Sequence, residues 1–176
     1  MKLTNDRQDT PLDSNMSADA GTDPLASVDL SRFVCHQCGN CCRGDGIVSV
    51  DDDYLSKIAQ FLGLDLESFA EACLLPRPVV ERSSRQMGLN PIQMARLLGK
   101  SPLELYRQKT GDFHLRSKNN PTLDCIFLTE AGCQIHTVKP RQCVAFPTAW
   151  RNPDSVETCA GLRALVEQTC QSPKTH

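Results

Sequence analysis

Along residues 51–62 the apolar positions Leu55, Ile58, Ala59 and Leu62 fall at i, i+3, i+4 and i+7, the stripe of a helix with one buried face. Acids crowd its first turn, where the positive end of the helix dipole favours them. Gly63 is placed to end it. Asp65 is positioned to cap a second helix over 66–74. The pattern returns 36 residues later, where Met94-Ala95-Arg96-Leu97-Leu98-Gly99 echoes Ile58-Ala59-Gln60-Phe61-Leu62-Gly63. Pro91 suits the first turn of this third helix. Ser101-Pro102-Leu103-Glu104 reads as a capping box opening a fourth, ending near Gly111. Two helical hairpins of related design are expected, with residues 76–84 as a connector.

The C-terminal part changes character. Residues 125–128 and 133–136 flank Thr129-Glu130-Ala131-Gly132 as the arms of a β-hairpin, with Cys125 at one strand start and Cys133 just beyond the turn. Ile47, Val48 and Val50 suit a short strand after a turn at 44–46. Residues 139–143 read as a turn, and the chain beyond Phe146-Pro147 as irregular until Cys159. Leu162, Leu165 and Val166 mark a final short helix. Residues 1–31 are rich in Asp, Asn, Ser, Thr and Pro without periodicity and are expected to be a disordered tail. Residues 32–170 then form one domain and 171–176 a second tail. The expected fold class is α+β: helical hairpins with a small β-hairpin and irregular loops around cysteine-lined metal centres.

Composition narrows the function. A length of 176 residues suits one domain, and only 5% of them are aromatic, so folding free energy must come partly from elsewhere than a large core. The net charge of -2 offers no global pull toward nucleic acid or an anionic membrane. No apolar run reaches a signal-peptide core or the ~20 residues of a membrane helix, and a cytoplasmic location is expected. In that reducing compartment the ten cysteines read as metal-binding before they read as disulfides.

Four of them sit inside eight residues: Cys35, Cys38, Cys41 and Cys42. A C-x2-C pair turns two sulfurs back onto one ion across a tight loop, here with Gly39 as the permissive residue. Cys41 adds a third sulfur at the same spacing. In an extended segment Cys41 and Cys42 would point to opposite sides and serve two centres. The later set is Cys125-x7-Cys133-x9-Cys143-x15-Cys159. The two blocks together supply the eight thiols of two closed four-thiolate sites. Cys73 lies four residues after Phe69 on an apolar helix face and reads as core, and Cys170 as a bystander or an exposed redox-sensitive thiol.

From Phe33 to Gly161 the chain resembles the YkgJ-like cysteine-cluster family, described as a zinc- or iron-chelating domain. The resemblance rests on Cys35-x2-Cys38-Gly39-x-Cys41-Cys42-Arg43, Cys125-Ile126-Phe127-Leu128 with Gly132-Cys133-x-Ile135, Pro140-x2-Cys143-x2-Phe146-Pro147, and Cys159-x-Gly161. It implies eight metal-associated cysteines, all present: Cys35, Cys38, Cys41, Cys42, Cys125, Cys133, Cys143 and Cys159. It also carries a link, in some members, to lysine methylation of flagellin and to an iron–sulfur cluster. The chain departs from the usual pattern at Lys139 and Val144, where arginine is common, at His136, where an aromatic residue is common, and at Ala160, where proline is common.

Zinc suits closed thiolate sites. The close C-x2-C-x2-C run favours an iron–sulfur cluster such as 4Fe–4S for the early block, completed by one late cysteine, with a second zinc or iron site from the rest. The sequence leaves zinc and iron both open, and does not say which cysteines share a centre. Arg43, Lys139 and Arg141 stand beside cysteines and could offset the negative charge of thiolate sites. His36 and His136 read as neighbours of the ligands, packing or hydrogen-bonding to sulfur. His114 has no such context. Phe146 and Trp150 are expected against the metal region, and Tyr54 and Tyr106 at the core edge. The readings are a metal-binding accessory protein in assembly, storage or redox; a cluster-dependent protein-modifying enzyme; and a metal-sensing helix-turn-helix regulator. The last rests on the spacing of Ala95, Gly99 and Leu105, whereas the second copy at Ala59, Gly63 and Phe69 has acidic neighbours Asp65, Glu67 and Glu71, which phosphates would repel. A protein partner or substrate is expected, and neither nucleic acid nor membrane.

Overall fold

The structure, a computed structural model, describes residues 25–44, 46–118 and 123–171. Among these residues eight α-helices and two two-stranded antiparallel sheets form the expected α+β fold.

Helix α1 (Asp52–Phe61) starts where Asp51 accepts the Tyr54 amide at 3.0 Å. Helix α2 (Leu66–Cys73) starts where Asp65 accepts the Ser68 amide at 2.9 Å. The 36-residue repeat is visible in the backbone, as α4 (Pro91–Leu97) and α5 (Pro102–Tyr106) repeat the α1–α2 hairpin. Gly63 and Gly99 both adopt left-handed φ values, +68° and +63°. The amides just past them, on Leu64 and Lys100, donate to Ala59 and Ala95 at 3.0 Å in each case. This is the same helix-ending motif twice. Helices α2 and α4 are joined on their polar sides by Asn90–Glu71 at 2.8 Å and Arg96–Glu67 at 3.3 Å.

Several expectations change. Residues 76–84 are not a connector: most of them belong to helix α3 (Pro78–Gln86), which buries only Val80 and Ser84. So narrow an apolar stripe leaves little periodic signal. Proline at its first turn and the Glu81–Arg85 pair at 2.8 Å support the helix locally. The Ser101 side chain makes no capping bond, and α5 ends at Tyr106 rather than near Gly111. A full capping box occurs one helix earlier, between Asn90 and Gln93. Tyr106 is fully buried, not at a core edge.

Strand β1 (Ser49–Val50) pairs with β2 (Phe113–His114), with Val50 opposite Phe113. This pairing closes the core formed by Leu55, Ile58, Phe69, Tyr106 and Phe113. The expected hairpin is shorter than its sequence suggested: β3 (Leu128–Thr129) pairs with β4 (Gly132–Cys133). Cys125 lies outside it, bridged to Ser117. Residues 139–143 are not a simple turn, because α6 (Arg141–Ala145) begins there. A short α7 (Ser155–Thr158) interrupts the irregular stretch before α8 (Ala160–Gln171). The expected tails at 1–24 and 172–176 lie outside the described residues. Within residues 25–31, also expected to be disordered, Leu25 is buried and packs with Cys159 and Leu162. None of the described helices is long and apolar enough to cross a membrane.

Candidate metal centre

The early cysteines sit on a loop shaped by Gly39. Its φ of +71° starts a 3-10 turn over Asn40–Cys42. A β-carbon at Gly39 would stand 2.8 Å from a Leu128 methyl, so the loop lies directly on β3. The segment around Cys41 and Cys42 is therefore not extended, and the two side chains do not alternate. Their thiols interact instead, and Cys42 lowers the ionisation of Cys41.

Backbone and side-chain bonds tie this loop to the late block. The Cys125 amide donates to the Cys42 carbonyl at 2.7 Å. The Asn40 amide group donates to the Thr158 carbonyl at 2.8 Å, one residue before Cys159. The Gly44 amide reaches Asp124 at 3.3 Å. Gly161 packs against the main chain at Val34, where a β-carbon would come within 2.3 Å of the carbonyl oxygen. On the opposite side Gln142 accepts the Ser49 amide at 2.8 Å and donates to the Ile47 carbonyl at 3.0 Å, holding α6 and Cys143 against β1. Asn40 and Gln142 were not legible as site residues. Their role depends on partners 118 and 93–95 positions away.

The result is one cavity of about 50 Å³ whose wall includes all eight predicted cysteines. Cys73 and Cys170 lie outside it, the first buried in α2 and the second exposed on α8. Cys42 is the hub. Its thiol lies within hydrogen-bonding reach of Cys125, Cys133 and Cys41, which pushes its ionisation strongly upward. The same contact lowers its neighbours. Cys41 falls to about 6 and Cys133 to about 7, both helped by Lys139, and Cys125 falls as well. Burial pushes Cys143 up to about 12 and raises Cys159. The interacting group thus combines two early and two late thiols, Cys41, Cys42, Cys125 and Cys133.

His36, His136 and Lys139 also line the cavity. Burial lowers the His136 ionisation, with Lys139 adding to the effect, and both favour the neutral ring. His114 lies in β2, paired with Ser49, away from the cavity. Of the three cations expected to offset charge, Lys139 does face the thiols. Arg43 instead sits 3.7 Å from Asp124, and Arg141 stands 3.7 Å from Asp51. Phe146 lines the cavity and packs on Trp150 at 5.0 Å, as expected of rings near the site.

Among the described residues no three His, Cys, Asp or Glu side chains stand in a ready-made grip on one ion. The chemistry of the donor set nonetheless fits a thiophilic metal. Eight soft sulfurs share one wall, two of them already ionise near neutrality, and a lysine stands beside them.

The family signature named CxxCxxCC, "Putative zinc- or iron-chelating domain", matches residues 34–171, and the chain belongs to that family. It is a metal-binding protein of the zinc or iron class. Comparison with curated proteins and with solved structures gives no match.

Proposed function

We propose that Cys35, Cys38, Cys41, Cys42, Cys125, Cys133, Cys143 and Cys159 hold zinc or iron–sulfur centres, and that the protein acts as a metal-binding accessory in assembly or redox chemistry. The observation that carries this reading is the convergence of all eight thiols, from two stretches of chain, on one cavity. Cys41, Cys42, Cys125 and Cys133 are the proposed nucleus of the first centre, because the Cys42 thiol interacts electrostatically with the other three. Metal binding then supplies folding free energy, ~10 kcal/mol or more for a structural zinc site. Anaerobic purification followed by iron, zinc and sulfide analysis and a visible spectrum tests it. A brown, sulfide-containing protein marks a cluster, and a colourless zinc protein marks a structural role. Folded protein carrying neither metal would refute the proposal.

A second reading, a cluster-dependent protein-modifying enzyme, is favoured by one feature. A larger cleft of about 250 Å³ shares Cys41, Cys42, Cys125 and Cys143 with the thiol cavity. Arg43, Asn152, Asp154 and Trp150 are among the other residues that line it. A substrate side chain entering that cleft would reach the sulfurs directly. Metal-dependent group transfer to a protein substrate, lost on filling the cleft by Asn152→Trp with metal content unchanged, would establish this role. Binding partners without turnover would favour the accessory role.

A further inference from the structure

His136 opens the 3-10 turn His136–Val138, three residues beyond Cys133 in β4. Its ring lines the thiol cavity. Its Nε2 is fully buried and has no hydrogen-bond partner. Buried polar atoms are rarely left unpaired, and each exception asks for an explanation. A neutral imidazole offers one N–H and one bare nitrogen, so an unpaired Nε2 on a ring that lines this cavity can either ligate a metal or donate to a sulfur. The donor count decides between them. Eight thiols already complete two four-thiolate centres without a nitrogen ligand. A bare nitrogen would also face negatively charged sulfurs, whereas an N–H would be attracted to them.

We propose that the Nε2–H of His136 donates a hydrogen bond to a ligand sulfur of the filled centre, making His136 a positioning residue that tunes the metal–thiolate bonds. This rests on the reading that the cavity thiols hold metal. Lys139 supplies charge to the same group of sulfurs. His136 supplies a directed bond, which fixes sulfur orientation and withdraws electron density from it. Among the described residues no acceptor already holds Nε2.

The test uses the full chain with isotope-labelled histidine, loaded with spin-active cadmium, which occupies thiolate sites whichever metal is native. The expected result is a slowly exchanging His136 Nε2 proton that shows scalar coupling to cadmium through the hydrogen bond. Direct nitrogen–cadmium coupling at a proton-free Nε2 overturns the proposal in favour of ligation. An Nε2 proton that exchanges freely and shows no coupling overturns it in favour of a bystander. His136→Gln, which keeps a donor, and His136→Phe, which does not, give a second readout. Both are expected to retain the native metal content, and only His136→Phe moves the thiolate-to-metal charge-transfer band to lower energy. An unmoved band in His136→Phe contradicts the role. Unmodified protein that carries no iron or zinc and takes up no cadmium removes the metal reading itself and this proposal with it, whereas bound cadmium without coupling removes only the role of His136.

Discussion

Gly161, in the first turn of α8, lies so close to Val34 that a β-carbon on it would sit 2.3 Å from the Val34 carbonyl oxygen and 3.0 Å from the Phe33 ring. The contact docks the late Cys159–Gly161 segment on the strand of chain that leads into Cys35. Gly161→Ala sets two effects against each other. Alanine favours a helix interior by up to about 1 kcal/mol. Overpacking against backbone that cannot yield costs about 1–3 kcal/mol. The clash wins, so the variant is expected to lose stability in denaturant melts and to carry less metal. Equal or greater stability would contradict the close approach.

Cys42 interacts with three other thiols, whereas Cys170 is exposed on α8. Cys42→Ser is therefore expected to abolish most bound metal and to lower solubility. Cys170→Ser should leave metal content and stability within about 0.5 kcal/mol of the unchanged protein, as surface substitutions usually do. Elemental analysis of the two variants, prepared side by side without oxygen, checks the contrast.

In the metal-free, reduced protein Cys41 and Cys133 ionise at about 6 and about 7, with Lys139 favouring the thiolate in both. Thiolate absorbance should therefore rise in a first step between about pH 6 and 7, well below the ordinary thiol range. The two groups share Cys42, so the step belongs to the cluster rather than to either residue. Removing a nearby cation disfavours the charged form, so Lys139→Gln should move this step to higher pH. Alkylation mapping at neutral pH should label Cys41 and Cys133 before Cys143, which burial pushes up to about 12.

Gln142 joins α6 to β1 through both ends of its amide. Gln142→Ala leaves the Ser49 N–H and Ile47 C=O without these partners. A cost of ~1–2 kcal/mol is expected, with Cys143 less firmly held. Unchanged thermal stability would show that water replaces the amide without loss.

The helical hairpins were legible because their signals are local. Asp51 and Asp65 cap helices at the positions their spacing predicts, and Gly63 and Gly99 end them alike. Helix α3 was hidden because only Val80 and Ser84 are buried on it, and the Ser101 capping box failed because residue type alone does not make the bond. The eight cysteines that line the cavity were singled out by spacing and by family resemblance. Their arrangement around it was not, since it depends on the Gly39 turn, which breaks the alternation of Cys41 and Cys42. It depends equally on contacts such as Cys42–Cys125 and Asn40–Thr158, which join residues far apart in sequence.

X-ray absorption at the iron or zinc edge of oxygen-protected, full-length protein tests the central claim most directly. Sulfur ligation from the converged thiols predicts a first shell of sulfur scatterers alone, at ~2.3 Å, that shrinks when Cys125 is replaced by serine. A shell dominated by nitrogen or oxygen, or a folded protein with no metal edge at all, would contradict it.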